Sequence, residues 1–183
     1  MRKRSPQSLS EAERRLVAAW AADCAERTMA LFDAEASGDE RLRVLIARTR
    51  AFARGELNTA EEIRRRFTSG VSATDIKSPV ATAALRAAGQ AVAVCHMGAH
   101  ALGAAAYAVE AIRLANQNRP GAVEDEIRWQ VDHMSPAVRD ALRTLPRVGE
   151  NSSGPLGPGR LASGRVGATI RKLQSSVKPD APT

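Results

Sequence analysis

The feature that most constrains this chain is residues 87–109, a stretch of 23 residues without a formal charge. It contains ten alanines and three glycines, whereas the rest of the chain is charged every few residues. The stretch is long enough to span a membrane, but Ala and Gly give it little affinity for lipid, and Gln90, His96 and His100 interrupt it. We therefore expect it to form a helical hairpin or a kinked helix inside a folded domain, surrounded by the other helices.

Composition favours an all-α fold around this stretch. Ala, Arg, Leu and Glu dominate, and aromatic residues make up only 3% of the chain, so small and aliphatic side chains must build the core. Ser10 and Glu13 have the spacing of a capping box, and the pairs Ser78-Pro79 and Ser135-Pro136 each join an N-cap to a proline at the first helical position. The sequence predicts a single compact bundle of about six to seven helices.

The periodicity of apolar residues sets the expected helix bounds. The predicted helices cover residues 10–36, 39–54, 59–68, 79–96, 99–116, 120–134 and 136–145. The helical pattern from residue 79 to 116 is too long for one globular helix, so we expect a break near Met97-Gly98.

Charge and composition divide the chain into a neutral domain and two basic tails. Residues 1–8 are expected to be disordered, and residues 9–146 to form the helical domain. Residues 147–183, rich in Gly, Pro and Ser, are expected to form a disordered basic tail. The tails carry the whole net charge of +7. We therefore expect no nucleic-acid partner, except for non-specific binding through the tail.

Cys24 and Cys95 are too few for a disulfide framework, and both are predicted to be buried thiols in a reducing cytoplasm. The N-terminus begins with basic residues but lacks the apolar segment of a secretory signal. These features predict a cytoplasmic protein that does not enter a membrane.

One cluster could carry metal chemistry, namely Cys95, His96 and His100. On a continuous helix, histidines four residues apart could share a metal ion. The third-ligand candidates are His133, Asp23 and Glu26. The segment HMGAH lacks the glutamate of the HExxH pattern, and a break at Gly98 would separate the two histidines. We predict buried, hydrogen-bonded histidines, with a metal site and a partner contact as alternatives.

No pattern of a serine hydrolase, a P-loop enzyme or a dinucleotide-binding fold occurs in the sequence. We therefore predict no catalytic activity and no cofactor. Trp20 and Trp129 each lie within two helical turns of carboxylates. Each is either an anchor of a core that is poor in aromatic residues or a binding hot spot, and the first interpretation is favoured.

Four segments carry a resemblance to a known family: LSEAERRLVAAWAADCAER, GDERLRVLIARTRAFARGEL, AAGQAVAVCHMGAHALGAAAYAVEAI and EIRWQ. As a set, they resemble the bacterial Imm-5-like putative immunity proteins, over residues 9–146. The matching positions include Trp20, Asp23, Cys24, Glu26, Asp39, Arg41, His96, His100, Tyr107, Trp129 and Gln130.

The resemblance implies a non-catalytic helical protein that binds and neutralises a cognate toxin of a polymorphic toxin system. It supplies no catalytic residue. The acidic group Glu124, Asp125 and Glu126 is a candidate partner surface, because many toxins that attack nucleic acids are basic. The high Ala and Arg content fits an actinobacterial source. The alternative function is that of a metal-binding helical protein that uses His96 and His100.

Overall fold

The computed structural model describes residues 5–58, 60–62 and 73–177. Within these ranges the chain forms helices and no strand, which confirms the predicted all-α fold. The helices are α1 (Glu11–Glu26), α2 (Met29–Glu35), α3 (Arg41–Ala53), α4 (Pro79–Ala93), α5 (His100–Ala115), α6 (Ala122–Asp132), α7 (Pro136–Arg143) and α8 (Gly164–Ser176). Of the helix predicted over residues 59–68, only residues 60–62 lie inside the described residues, and these are helical.

The predicted helix starts are present. The Ser10 hydroxyl accepts a hydrogen bond from the Glu13 backbone N–H at 3.2 Å, and the Glu13 carboxylate accepts one from the Ser10 N–H at 2.7 Å, which forms the capping box. Ser78 and Ser135 cap α4 and α7 through their hydroxyl groups. These side chains satisfy backbone N–H groups that have no partner within the first helical turn.

The helix predicted over residues 10–36 is in fact two helices, because the chain tightens after α1. The Thr28 backbone N–H donates to the Ala25 carbonyl at 3.0 Å, and the Thr28 hydroxyl donates to the same carbonyl at 2.7 Å. A buried threonine bonded in this way competes with the regular helical pattern. The turn lets α2 change direction and pack against α3, α4 and α5.

The uncharged stretch forms the centre of the fold. Helix α4 packs along α5, and α5 also contacts α1, α2, α6 and α8. The break predicted near Met97-Gly98 is confirmed, since α4 ends at Ala93 and α5 begins at His100. Alanines of α5, such as Ala101, Ala104 and Ala108, are fully buried, so the small side chains permit close helix packing. Among the described residues, none of the helices combines the length and apolar character that a membrane span requires.

The N-terminal segment explains where this break falls. The backbone N–H groups of Gly98 and Ala99 donate to the carbonyls of Ser8 and Gln7, both at 3.1 Å. A Cβ atom on Gly98 would lie 2.4 Å from Leu9 Cδ1, so a larger residue at this position would have to displace the Leu9 side chain. Residues 5–8 are therefore ordered against the core, which corrects the expected disorder of residues 1–8 over this part. Residues 1–4 lie outside the described residues.

The C-terminal segment is also part of the core, which corrects the expectation of a disordered tail over residues 147–177. Helix α8 packs against α5 and α6, and Leu156, Ile170 and Leu173 are fully buried. The Gln7 side chain donates to the Ser153 carbonyl at 2.7 Å and accepts from the Leu156 N–H at 2.9 Å. The apolar residues are sparse in the sequence but converge on one face, so their burial stabilises the segment. Residues 178–183 lie outside the described residues.

Candidate functional site

Residues at the C-terminal ends of α1 and α6 line one shallow depression on the surface. Its lining consists of Asp23, Glu26, Arg27, Trp129 and His133, which we call the Trp129 surface. The Arg27 guanidinium carbon lies 4.0 Å from the centre of the Trp129 ring. The His133 ring stacks on the same tryptophan at 3.9 Å between centroids, with an interplanar angle of 21°. Trp129 itself is half-buried and lines the depression, so part of this residue is exposed to solvent.

A buried polar network supports this surface from below. Arg27 Nε donates to Glu126 Oε2 at 2.6 Å, and the Glu126 side chain is only 2% exposed. The other oxygen of Glu126 accepts from Gln130 Nε2 at 3.0 Å, and this nitrogen also donates to the Ala105 carbonyl on α5. Trp20 Nε1 donates to the Gln130 carbonyl at 2.9 Å. The network therefore joins α1, α5 and α6 directly beneath the exposed residues.

Burial shifts the pKa values of two acidic groups in and next to this network. It raises the pKa of Glu126, because removal of a carboxylate from water penalises the charged form, and Arg27 and Gln130 partly offset this effect. The pKa of the neighbouring Cys24 thiol is raised well above its usual range by burial and by the charges of Glu126 and Asp23. Cys24 is fully buried, and its raised pKa favours the thiol over the thiolate, as is typical of a structural core cysteine.

A second set of charges ties α3 to the same edge of α1. Arg50 Nη2 donates to Asp23 Oδ1 at 2.9 Å and also pairs with Glu26. The two carboxylates remain 42% and 51% exposed, so they keep free lone pairs toward solvent. These contacts hold the acidic rim of the Trp129 surface in place.

The two tryptophans have different environments, although both lie near carboxylates in the sequence. Trp20 is 2% exposed and anchors the core, as the favoured interpretation predicted. Trp129 is half-buried at the depression, which fits the hot-spot interpretation. No local signal in the sequence indicates the contact of Arg27 with both Trp129 and Glu126, because Glu126 lies 99 positions away.

The acidic group predicted as a partner surface is divided by the fold. Glu126 is buried beneath Arg27, which corrects its assignment to the surface. Glu124 and Asp125 are exposed, but cations neutralise both of them. Lys172 lies 3.8 Å from Glu124, while Arg119 and Arg128 pair with Asp125 at 3.1 and 3.4 Å. The three residues therefore do not form a continuous acidic patch.

The histidines proposed as metal ligands lie in two places. The rings of His96 and His100 are 5.0 Å apart, and His100 Nδ1 lies 2.8 Å from Gln90 Oε1, so this pair sits at the end of the central hairpin. His133 belongs to the Trp129 surface and bonds to the Trp129 carbonyl at 2.7 Å. In the described ranges, no three His, Cys, Asp or Glu side chains are grouped as a metal ion would require.

The remaining motif residues hold other parts of the fold. Arg41 forms charged hydrogen bonds with both Asp39 and Asp75, which fastens the start of α3 to the segment before α4. These bonds lower the pKa values of both aspartates and raise that of Arg41. Tyr107 is 7% exposed on α5 and faces a cavity next to Arg86. Cys95 is buried, like Cys24, as predicted for both cysteines.

Comparison with protein families assigns the chain to a family. The model of the Imm-5 like putative immunity protein family matches residues 7–137. The chain belongs to this family. The match includes the N-terminal segment that enters the core and all of α1 to α6, and hence every residue of the Trp129 surface. The comparisons with curated proteins and with solved structures found no match.

The family match ends at α7, so α8 is an addition beyond the matched region. This immunity-family chain nevertheless buries α8 against the matched helices α5 and α6. The family assignment supports an immunity role in general. It identifies neither the partner nor the surface that binds it.

Proposed function

We propose that the protein is a non-catalytic immunity protein that acts in the cytoplasm, and that it neutralises a toxin of a polymorphic toxin system by binding it through the Trp129 surface. The family assignment carries the immunity role. The single observation that supports this surface is that Asp23, Glu26, Arg27, Trp129 and His133 converge on one open depression. Three of these five positions, Asp23, Glu26 and Trp129, are among the positions on which the family resemblance rests.

The chemistry of the surface suits protein recognition. Tryptophan and arginine are the residues that most often dominate binding energy at interfaces, and here they are in contact with one another. The cation–π contact and the ion pair with Glu126 hold Arg27 in one position before a partner arrives. A side chain that is already ordered loses little entropy on binding, so more of the contact energy contributes to affinity.

The surface can extend along the exposed side of α6. Asp125 precedes Trp129 by four residues, so both lie on the same face of the helix. Asp125 and the neighbouring Glu124 are 50% and 58% exposed, and their cationic partners are exposed too. We place these two acids at the rim together with their cationic partners, and charged residues at a rim affect the rate of association more than the final affinity.

Co-expression tests the immunity role. A candidate toxin domain, taken from a gene that neighbours the gene of this chain, is expressed from an inducible promoter, with and without this chain, and growth is recorded. We expect the chain to restore growth and to co-purify with the toxin domain. If growth is inhibited equally with and without the chain, although the chain is folded and abundant, the proposed function is wrong.

A second growth assay tests whether the toxin binds at the Trp129 surface. The same growth assay is run with Trp129→Ala and His133→Ala together, and with Arg165→Ala as a matched control on the exposed face of α8. We expect protection to be lost for the first variant and kept for the control. Protection by both variants would show that the toxin binds elsewhere, while the immunity role itself would stand.

A further inference from the structure

A cavity lies between the central hairpin and α3, remote in the chain from the Trp129 surface. It has a volume of about 340 Å³, and α3, α4, α5 and the segment before α8 contribute to its lining. Leu45, Leu85, Val92 and Leu161 supply apolar walls, and the buried Tyr107 supplies an aromatic surface. This volume is in the range of pockets that hold small organic molecules, about 300–1,000 Å³.

Three guanidinium groups line this cavity, and their environments differ. Arg48 pairs with Glu62, whose side chain is 3% exposed, so its charge is neutralised within the protein. Arg86 lies over the Tyr107 ring at 5.9 Å, and both Arg86 and Arg160 are exposed. Over the described part of the chain, neither Arg86 nor Arg160 has a carboxylate partner or a hydrogen bond.

Arg86 and Arg160 differ in this respect from most arginines of the described chain. Most arginines of the described chain pair with a carboxylate, as Arg15, Arg43, Arg50, Arg113 and Arg143 do. The cavity therefore combines apolar walls with two positive charges that the protein does not neutralise. An anionic group would provide the missing counter-charge, and guanidinium groups bind carboxylates and phosphates through paired hydrogen bonds.

We propose that this cavity binds a small organic anion, with its apolar body against Leu45, Leu85 and Leu161 and its carboxylate or phosphate group at Arg86 and Arg160. The site uses no residue of the Trp129 surface. Ligand binding in this cavity is therefore a property separate from toxin neutralisation. If either proposal is refuted, the other is unaffected.

The test uses anilinonaphthalene sulfonate as the probe, because it joins an aromatic body to one negative charge and fluoresces in apolar sites. Fluorescence titration of the full chain is expected to show saturable binding of one probe per chain. Uncharged phenylnaphthylamine, which lacks the sulfonate, is expected to bind at least about tenfold more weakly, because a lost ionic contact is worth about this factor.

Three variants locate the site. Arg86→Gln with Arg160→Gln should weaken probe binding at least about tenfold. Arg165→Gln, which removes an exposed arginine outside the cavity, should leave binding unchanged. Gly89→Leu should abolish binding, because Gly89 lines the cavity and a Cβ atom there meets no atom within 4 Å. If Gly89→Leu does not fold, the double glutamine variant and its Arg165→Gln control locate the site without it, because all three arginines are exposed.

Several results would overturn the proposal. These are the absence of saturable probe binding, equal binding of the charged and uncharged probes, and unchanged binding in the double glutamine variant. Binding that survives in a folded Gly89→Leu protein would also place the probe elsewhere and refute the assignment.

Discussion

Arg27→Ala is the perturbation that most directly tests the buried network beneath the Trp129 surface. It would leave the Glu126 carboxylate, 2% exposed, with only the Gln130 amide as a hydrogen-bond partner. Removal of one partner of a fully buried ion pair costs about 3–5 kcal/mol. Arg27 is itself 36% exposed, so water can partly replace it. We therefore expect the free energy of unfolding to fall by about 2 kcal/mol near neutral pH.

The pKa of Glu126 determines whether the loss of stability in Arg27→Ala grows or shrinks as the pH rises. Burial already raises the pKa of Glu126 above its ordinary value of 4.5, so the ionised form is the costly one in the folded state. Loss of Arg27 should raise this pKa further. The stability of the variant should therefore be close to that of the wild type at low pH and should fall as the pH rises through the new pKa of Glu126.

Urea unfolding of the wild type and the variant at about pH 5 and about pH 8 measures this difference. Arg128→Ala is the matched control on α6, since this arginine is 69% exposed and pairs only with Asp125 at 3.4 Å. It should change stability by less than about 0.5 kcal/mol. Arg27→Ala with Glu126→Gln should recover part of the loss, because a neutral amide needs no cation. If the cost of Arg27→Ala is the same at both pH values, the role assigned to Glu126 is wrong.

Three further predictions concern the rest of the fold. Ile170→Ala or Leu173→Ala should lower the free energy of unfolding in urea by about 2–5 kcal/mol. Lys172→Ala, at an exposed position of the same helix, should change it by less than about 0.5 kcal/mol. Similar small effects for all three variants would mean that α8 is not part of the core. Arg41 lowers the pKa values of Asp39 and Asp75, so the wild type loses stability as the pH falls through and below their ordinary value of 3.8. Arg41→Gln should flatten this acid-induced loss in urea unfolding between neutral and acidic pH, and an unchanged slope would contradict the assignment. Gly89→Ala should raise stability by about 0.5–1 kcal/mol in thermal unfolding, because it relieves the entropic cost of a helical glycine. Gly103→Ala should lower the stability, because the new Cβ would lie 2.5 Å from Gln90 Oε1 and 2.9 Å from Leu161 Cδ1. A Gly103→Ala protein that is more stable than Gly89→Ala would refute this packing.

The parts of the fold that the sequence predicts well depend on local chemistry. Ser10, Ser78 and Ser135 cap helices because their hydroxyl groups reach backbone N–H groups three residues ahead. The uncharged stretch is central because only a position surrounded by other helices suits so many small, apolar residues. The family resemblance also depended on local segments, and the family match confirmed it.

The parts that the sequence does not predict depend on contacts between distant residues. Residues 147–177 have few large apolar side chains, and their order depends on a surface of α5 and on Gln7, which lies 149 positions from Leu156. The environments of Trp20 and Trp129 likewise depend on how α1 meets α6, because both tryptophans lie near carboxylates in sequence. Glu126 was assigned to the surface for the same reason, since nothing local shows that Arg27 covers it.

The affinity of the chain for the toxin domain that it is proposed to neutralise decides whether the Trp129 surface is the binding site. Calorimetric titration would compare the wild type with Trp129→Ala and with the control Arg165→Ala. Loss of a tryptophan anchor at the centre of an interface typically costs at least about 2 kcal/mol, so we predict that Trp129→Ala weakens binding at least about thirtyfold. The control should bind like the wild type. Equal affinities of the wild type and a folded Trp129→Ala protein would contradict the account.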